Sequence, residues 1–171
     1  MKNTLAALAV VLGATSAVAA DIPGRSAPAA PVPIFASKNF YFGVNAGGVV
    51  TDGINLDAPW TLGVVGGYNV INLGPISVAA EGTYDYTKGG ANDVAGNVVG
   101  GYKFGSFTPY ALLGVGYRWS DFKNEPIWNV GGGVKFSLTS SIDLDARYRR
   151  IDNFDRTMTE DRASLGVNYK F

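Results

Sequence analysis

The residues of this chain that could carry chemistry are mostly carboxylates and cations, and their spacing argues against catalysis. Glu81 and Asp85 stand four positions apart. On a strand rising about 3.3 Å per residue, such carboxylates lie roughly 13 Å apart. That is too far for a shared proton, or for the retaining-glycosidase pair separated by about 5 Å. The chain has no His and no Cys. Imidazole bases, His-dependent hydrolysis, thiolate nucleophiles and disulfides are therefore excluded. The runs Gly66-Gly67, Gly100-Gly101 and Gly131-Gly132-Gly133 precede no helix, so they lack the anion-binding helix terminus of a phosphate loop. They read as sites of bending and close strand packing. Asp52, Asp57, Asp121 and Glu125 fall in predicted loops. Divalent cations bridging lipopolysaccharide and plain solvation account for them equally well. No catalytic, cofactor-binding or metal-binding residues are expected.

The elements that would position these side chains are strands. The C-terminal stretch alternates: Ala163, Leu165, Val167, Tyr169 and Phe171 are apolar, whereas Arg162, Ser164, Asn168 and Lys170 are polar. A period of two is a strand with one apolar and one polar face. Eight such segments are predicted, at 39–50, 60–70, 76–87, 93–104, 108–120, 127–138, 142–154 and 160–171. Each has about the length needed to cross a bilayer at a tilt. Connections 71–75, 105–107 and 139–141 are tight, and 51–59, 88–92, 121–126 and 155–159 are on average longer. That asymmetry matches short periplasmic turns and longer external loops. The fold class expected is all-β, an eight-stranded antiparallel up-and-down transmembrane barrel.

Faces agree between segments. Phe40, Phe42, Val44 and Ala46 oppose Tyr41, Gly43, Asn45 and Gly47. Ile142, Leu144, Ala146 and Tyr148 oppose Asp143, Asp145, Arg147 and Arg149. In a barrel the apolar face meets lipid and the charged face lines the lumen. The expected lumen set is Glu81, Asp85, Lys103, Arg118, Lys135, Asp143, Asp145, Arg147, Arg149, Glu160, Arg162 and Lys170. Charges in so narrow a space must pair or be hydrated, so an ion-pair network that plugs the lumen is expected, with Asp143 or Asp145 within reach of Lys170. A narrow ion path is the alternative. Arg150 and Asp152 fall on the outer face near the external rim, where a bulge or snorkelling would accommodate them. Two aromatic girdles are expected. Trp60, Tyr84, Tyr86, Tyr117, Trp119 and Trp128 form the outer one, and Tyr68, Tyr102, Phe104, Phe136, Tyr169 and Phe171 the periplasmic one.

Residues 1–20 read as a cleaved signal peptide, with Lys2, an apolar stretch from Leu5 to Leu12 and the small residues Ala17 to Ala20. Residues 21–38 read as a Pro/Ala-rich periplasmic linker, and 39–171 as the barrel.

The chain resembles the small porin-like surface antigens of alphaproteobacteria. These are the Brucella and rhizobial outer-membrane protein family, within the wider opacity-type and outer-membrane-protein-A-type eight-stranded barrels. The resemblance is carried by VAAD at 18–21, SAPAAPVP at 26–33, FYFGVNAGG at 40–48, ISVAAEGTYDYT at 76–87, TPYALLGVGYRW at 108–119 and ASLGVNYKF at 163–171. It implies the bacterial outer membrane as location and a structural, surface-antigen role. The alternatives are a low-conductance porin for small solutes or a loop-mediated adhesin. It also implies recognition of Tyr169 and Phe171 by the barrel assembly machinery. Expected partners are periplasmic chaperones during biogenesis, and outer-membrane lipid and lipopolysaccharide afterwards. No cofactor and no nucleic acid are expected, and the barrel is expected to be a monomer.

Overall fold

The computed structural model describes residues 39–50, 59–120, 124–155 and 158–171. The predicted signal peptide and linker lie outside these residues, as do Asp52, Asp57 and Asp121. The strands are β1 Phe40–Val49, β2 Trp60–Leu73, β3 Ile76–Thr87, β4 Ala91–Tyr102, β5 Phe107–Trp119, β6 Asn124–Ser137, β7 Ile142–Asn153 and β8 Thr159–Lys170. Each pairs with its sequence neighbours, and β1 pairs antiparallel with β8, which closes the barrel. No strand edge is left open, so every ladder is satisfied within the wall, as a hydrocarbon solvent requires.

Cross-strand partners give the tilt. From Phe40 the row runs through Tyr68, Ala80, Val98, Leu113, Val130, Arg150 and Asp161. It returns to β1 at Val50, whose amide donates to the Asp161 carbonyl. The row has climbed from position 40 to position 50. Ten residues at about 3.3 Å around eight strands about 4.8 Å apart tilt the strands by roughly 40°.

The apolar face points outward. Leu113 and Val115 are 61% and 63% exposed, and Val134 and Leu144 are each 41% exposed. Aromatic pairs gather at the two ends of the wall. Trp60–Tyr86 and Tyr117–Trp119 lie at the loop end, with ring centroids 5.7 and 5.3 Å apart. Phe40–Tyr68, Tyr102–Phe104, Phe107–Phe136 and Tyr169–Phe171 lie at the end where β1 starts and β8 stops, the termini end of the barrel, at 4.5 to 5.1 Å. Tyr84 is exposed on the outer wall near the loop end, whereas Trp128 is half-buried there.

Several boundaries differ from those predicted. Strand β2 continues through Leu73, with a register shift between Asn69 and Ile71. The turn reduces to Gly74-Pro75, with Gly74 at φ 61°, a conformation glycine adopts without a Cβ clash. The run Val70-Ile71 has no alternation, because a bulge resets the faces there. Strand β6 begins at Asn124, inside the predicted loop 121–126, and Glu125 is a buried lumen residue rather than a loop charge. Its carboxylate accepts from Asn153 Nδ2 at 2.9 Å. Strand β7 has no bulge at Arg150 and Asp152, for its register with β6 and with β8 is unbroken. Arg150 is exposed, but Asp152 is buried, accepting from the Thr159 hydroxyl at 2.5 Å.

Candidate functional site

The lumen is lined by the inward positions of all eight strands, and its ionisable side chains fall into three groups along the axis. Nearest the loop end, Arg118 of β5 grips Asp93 of β4 with Nε and Nη2 at 2.6 and 2.7 Å. Its Nη1 donates to Glu160 of β8 and to the Met158 sulfur, each at 2.9 Å. Arg162 of β8 donates from Nη2 to Asp93 at 2.7 Å and from Nε to Glu160. Arg149 of β7 donates to Asp85 of β3 at 2.8 Å. Three arginines thus meet three carboxylates, and Arg162 is only 2% exposed. Charge balance is what makes such burial tolerable, since an unpaired ion there would cost several kcal/mol.

The middle group centres on Arg147 of β7. Its Nη1 and Nη2 reach the two oxygens of Glu81 on β3 at 2.5 and 3.0 Å. Nη2 also donates to Asp145 at 2.9 Å, and Nε donates to the Tyr110 hydroxyl at 2.9 Å. That hydroxyl donates onward to Asp145 at 2.7 Å, and the Tyr41 hydroxyl donates to Glu81 at 2.8 Å. Planar guanidinium geometry suits this two-oxygen grip, which a lysine could not reproduce. Lys135 stands beside the group, its Nζ 4.2 Å from the Tyr41 ring centroid and 5.3 Å from that of Tyr110, within cation–π range.

Glycines make room for the two tyrosines. Tyr41 is the cross-strand partner of Gly67, and Tyr110 of Gly133. A Cβ at Gly67 would lie 2.2 Å from Tyr41 Cζ, and one at Gly133 would lie 2.5 Å from the Tyr110 hydroxyl. The rings lie flat over bare backbone, packed with Val65, Ala79, Val99 and Leu112 in one buried cluster. Two of the glycine runs therefore serve side-chain packing across the ladder.

At the termini end, Lys170 donates to Asp143 at 2.6 Å. Lys103 lines the mouth there, and its side chain makes no ion pair among the described residues. Of the residues expected inside, Glu81, Asp85, Arg118, Asp143, Asp145, Arg147, Arg149, Glu160, Arg162 and Lys170 all enter ion pairs. Lys103 and Lys135 do not. Asp93, which bridges Arg118 and Arg162, was not anticipated. Its inward row Asp93, Ala95, Asn97 and Val99 alternates, but valines at Val94, Val98 and Val99 occupy both faces and blur the pattern.

The connectivity follows from the ring. With eight strands in sequence order, β3 and β7 are diametrically opposite, as are β4 and β8. Arg147–Glu81, Arg149–Asp85 and Arg162–Asp93 each span the full width of the lumen. Paired side chains from opposite walls thus meet across the interior, as a barrel this narrow allows.

A closed, sequentially wound antiparallel barrel, apolar outside and ionic within, is a bacterial outer-membrane protein of the small-barrel class. The chain belongs to the outer membrane protein beta-barrel domain family, whose model matches residues 5–171. Its fold is similar to that of Neisserial surface protein A at 18% identity and a TM-score of 0.57, covering 78% of this chain and 97% of that one. Ail of Yersinia pestis in a phospholipid bilayer nanodisc is similar at 15% identity and a TM-score of 0.52, with 77% and 99% covered. The outer membrane enzyme PagL is similar at 13% identity and a TM-score of 0.53, with 77% and 99% covered. Identities this low speak for the fold alone. No curated protein matches the chain.

Proposed function

We propose that this protein is a structural, surface-exposed component of the outer membrane whose lumen is plugged and does not conduct. The observation that carries this reading is the set of ion pairs between opposite walls. A hydrated ion traversing the barrel would have to break Arg147–Glu81 and Arg162–Asp93 in turn. Each break strands a buried charge, at a cost of about 3–5 kcal/mol. A non-enzymatic role is supported by the absence of His from the sequence and by the commitment of Glu81 and Asp85 to arginines. In this reading the barrel acts as a monomer amid lipid and lipopolysaccharide, and Tyr169 and Phe171 form its assembly signal.

Proteoliposome swelling tests the plug: vesicles carrying the refolded barrel should swell no faster in small sugars than empty vesicles. A strain lacking the protein should become sensitive to detergent. Expression of a chain with loops 51–59 and 121–126 replaced should restore resistance. Rapid swelling would overturn the plug, and failure of the loop-replaced chain to restore resistance would overturn the structural role.

A further inference from the structure

We propose that the lumen binds a sealed cluster of water between its two layers of ion pairs, centred on Asn97 of β4. Both amide atoms of Asn97 lack a hydrogen-bond partner among the described residues, although the side chain is buried. Interchanging its oxygen and nitrogen changes nothing, because neither is satisfied. Asn129 Oδ1 and Thr83 Oγ1 are buried and unpartnered in the same way. The ladders bring these groups together. Gly114 pairs with Asn97 on one side and with Asn129 on the other. Thr83 pairs with Ala95, two residues from Asn97 on the same inward face. The Asn97 side chain lies over Gly114, where a Cβ would not fit. Native interiors pair nearly all such buried polar atoms, with protein or with ordered water.

Charge selects the ligand. Arg118, Arg149 and Arg162 balance Asp85, Asp93 and Glu160, so this part of the lumen calls for no ion. The unpaired set presents acceptors and a donor together, and a neutral molecule that both donates and accepts satisfies them. Room follows from the wall. Eight strands about 4.8 Å apart and tilted by roughly 40° enclose a cylinder about 8 Å in radius at the Cα atoms. Between the bridges, Gly63, Ala95, Gly114, Gly131 and Ser164 contribute little side-chain volume. Space is left around the crossing arginines for waters of about 30 Å³ each. Both exits are closed. On the termini side Val65, Val99 and Leu112 pack with the Tyr41 and Tyr110 rings, beside the Arg147–Glu81 bridge. On the loop side the buried Ile127 and Ile151 accompany the Arg118–Asp93–Arg162 bridge.

The inference rests on the plugged lumen proposed above, because only a closed lumen retains water. Oxygen-17 magnetic relaxation dispersion registers waters that stay on a protein for as long as it takes to tumble. The full chain refolded in maltoside micelles should show a dispersion that empty micelles lack. Asn97→Leu and Thr83→Val keep side-chain size and remove polar atoms from the cluster, and each should lower the amplitude. Asn72→Leu, at the open mouth on the termini side, should leave it unchanged. A dispersion that neither lumen substitution lowers, or that Asn72→Leu lowers equally, overturns the proposal. No dispersion from a chain that is silent in a planar bilayer means a dry interior: the proposal fails and the plug stands. No dispersion together with discrete current steps means an open lumen, and both fail. Should Asn97→Leu not fold, as judged by heat-dependent gel mobility, Thr83→Val decides the matter.

Discussion

Arg147 on β7 holds Glu81 on β3 with both terminal nitrogens, at 2.5 and 3.0 Å, across the full diameter of the barrel. The bond ties together two walls that share no backbone ladder. Removing Glu81 leaves Arg147 and Lys135 with the single carboxylate of Asp145 between them, an excess of buried positive charge. Glu81→Ala should therefore destabilise the folded barrel by about 3–5 kcal/mol, read as a lower urea midpoint in detergent. Glu81→Met combined with Arg147→Met removes both charges, leaves Asp145 to be balanced by Lys135, and should recover part of that loss. A double variant as unstable as the single would show that packing, rather than charge, decides the site.

The contact of Tyr41 with Gly67 makes a steric prediction. A Cβ at position 67 would sit 2.2 Å from the ring, so Gly67→Val should cost about 1–3 kcal/mol through overpacking. Adding Tyr41→Ala clears the space and should make the valine far less harmful, even though the hydroxyl bond to Glu81 is lost. Independent, additive effects in a double-mutant cycle would contradict the contact.

Lipid as the outer solvent predicts a depth dependence. Leu113→Arg, midway along β5, should destabilise by about 2–4 kcal/mol, whereas Phe104→Arg at the rim should cost about 0–1 kcal/mol. Equal costs, measured by unfolding in lipid vesicles, would mean that Leu113 does not face hydrocarbon.

Phe171 and Tyr169 lie edge to face at 5.1 Å on the outward face at the termini end, and Phe171 has little buried contact to lose. Deleting Phe171 should slow insertion into the outer membrane of living cells while leaving detergent refolding of the purified chain unchanged. Equal impairment in both settings would make it a stability residue instead of an assembly signal.

How far the amino-acid pattern reached can be judged strand by strand. Strand β7 was readable because Asp143, Asp145, Arg147 and Arg149 interleave with Ile142, Leu144, Ala146 and Tyr148, so a slip of one residue would put arginines in lipid. The end of β2 was not, because the bulge near Val70 swaps faces inside an apolar run. The start of β6 was hidden by Asn124 and Pro126, which read as loop residues although they pair with Trp119 and Tyr117. Most of the charged inventory could be read from alternation, with Asp93, Glu125 and Asp152 the exceptions, but its partners could not. Which arginine meets which carboxylate depends on closure and stagger, and these place Asp93 opposite Arg162, 69 residues away in sequence. Local spacing offered only a hairpin pairing of Lys170 with Asp143 or Asp145, and Asp143, 27 residues away, is the one that forms.

The account stands on the lumen being closed by its own side chains, and single-channel recording reaches that most directly. Purified, heat-modifiable protein inserted into a planar bilayer at neutral pH is expected to give no discrete current steps in simple salt. Reproducible unitary openings of constant size from the same preparation would contradict it, because ions would then be passing where Arg147 and Arg162 bridge the walls.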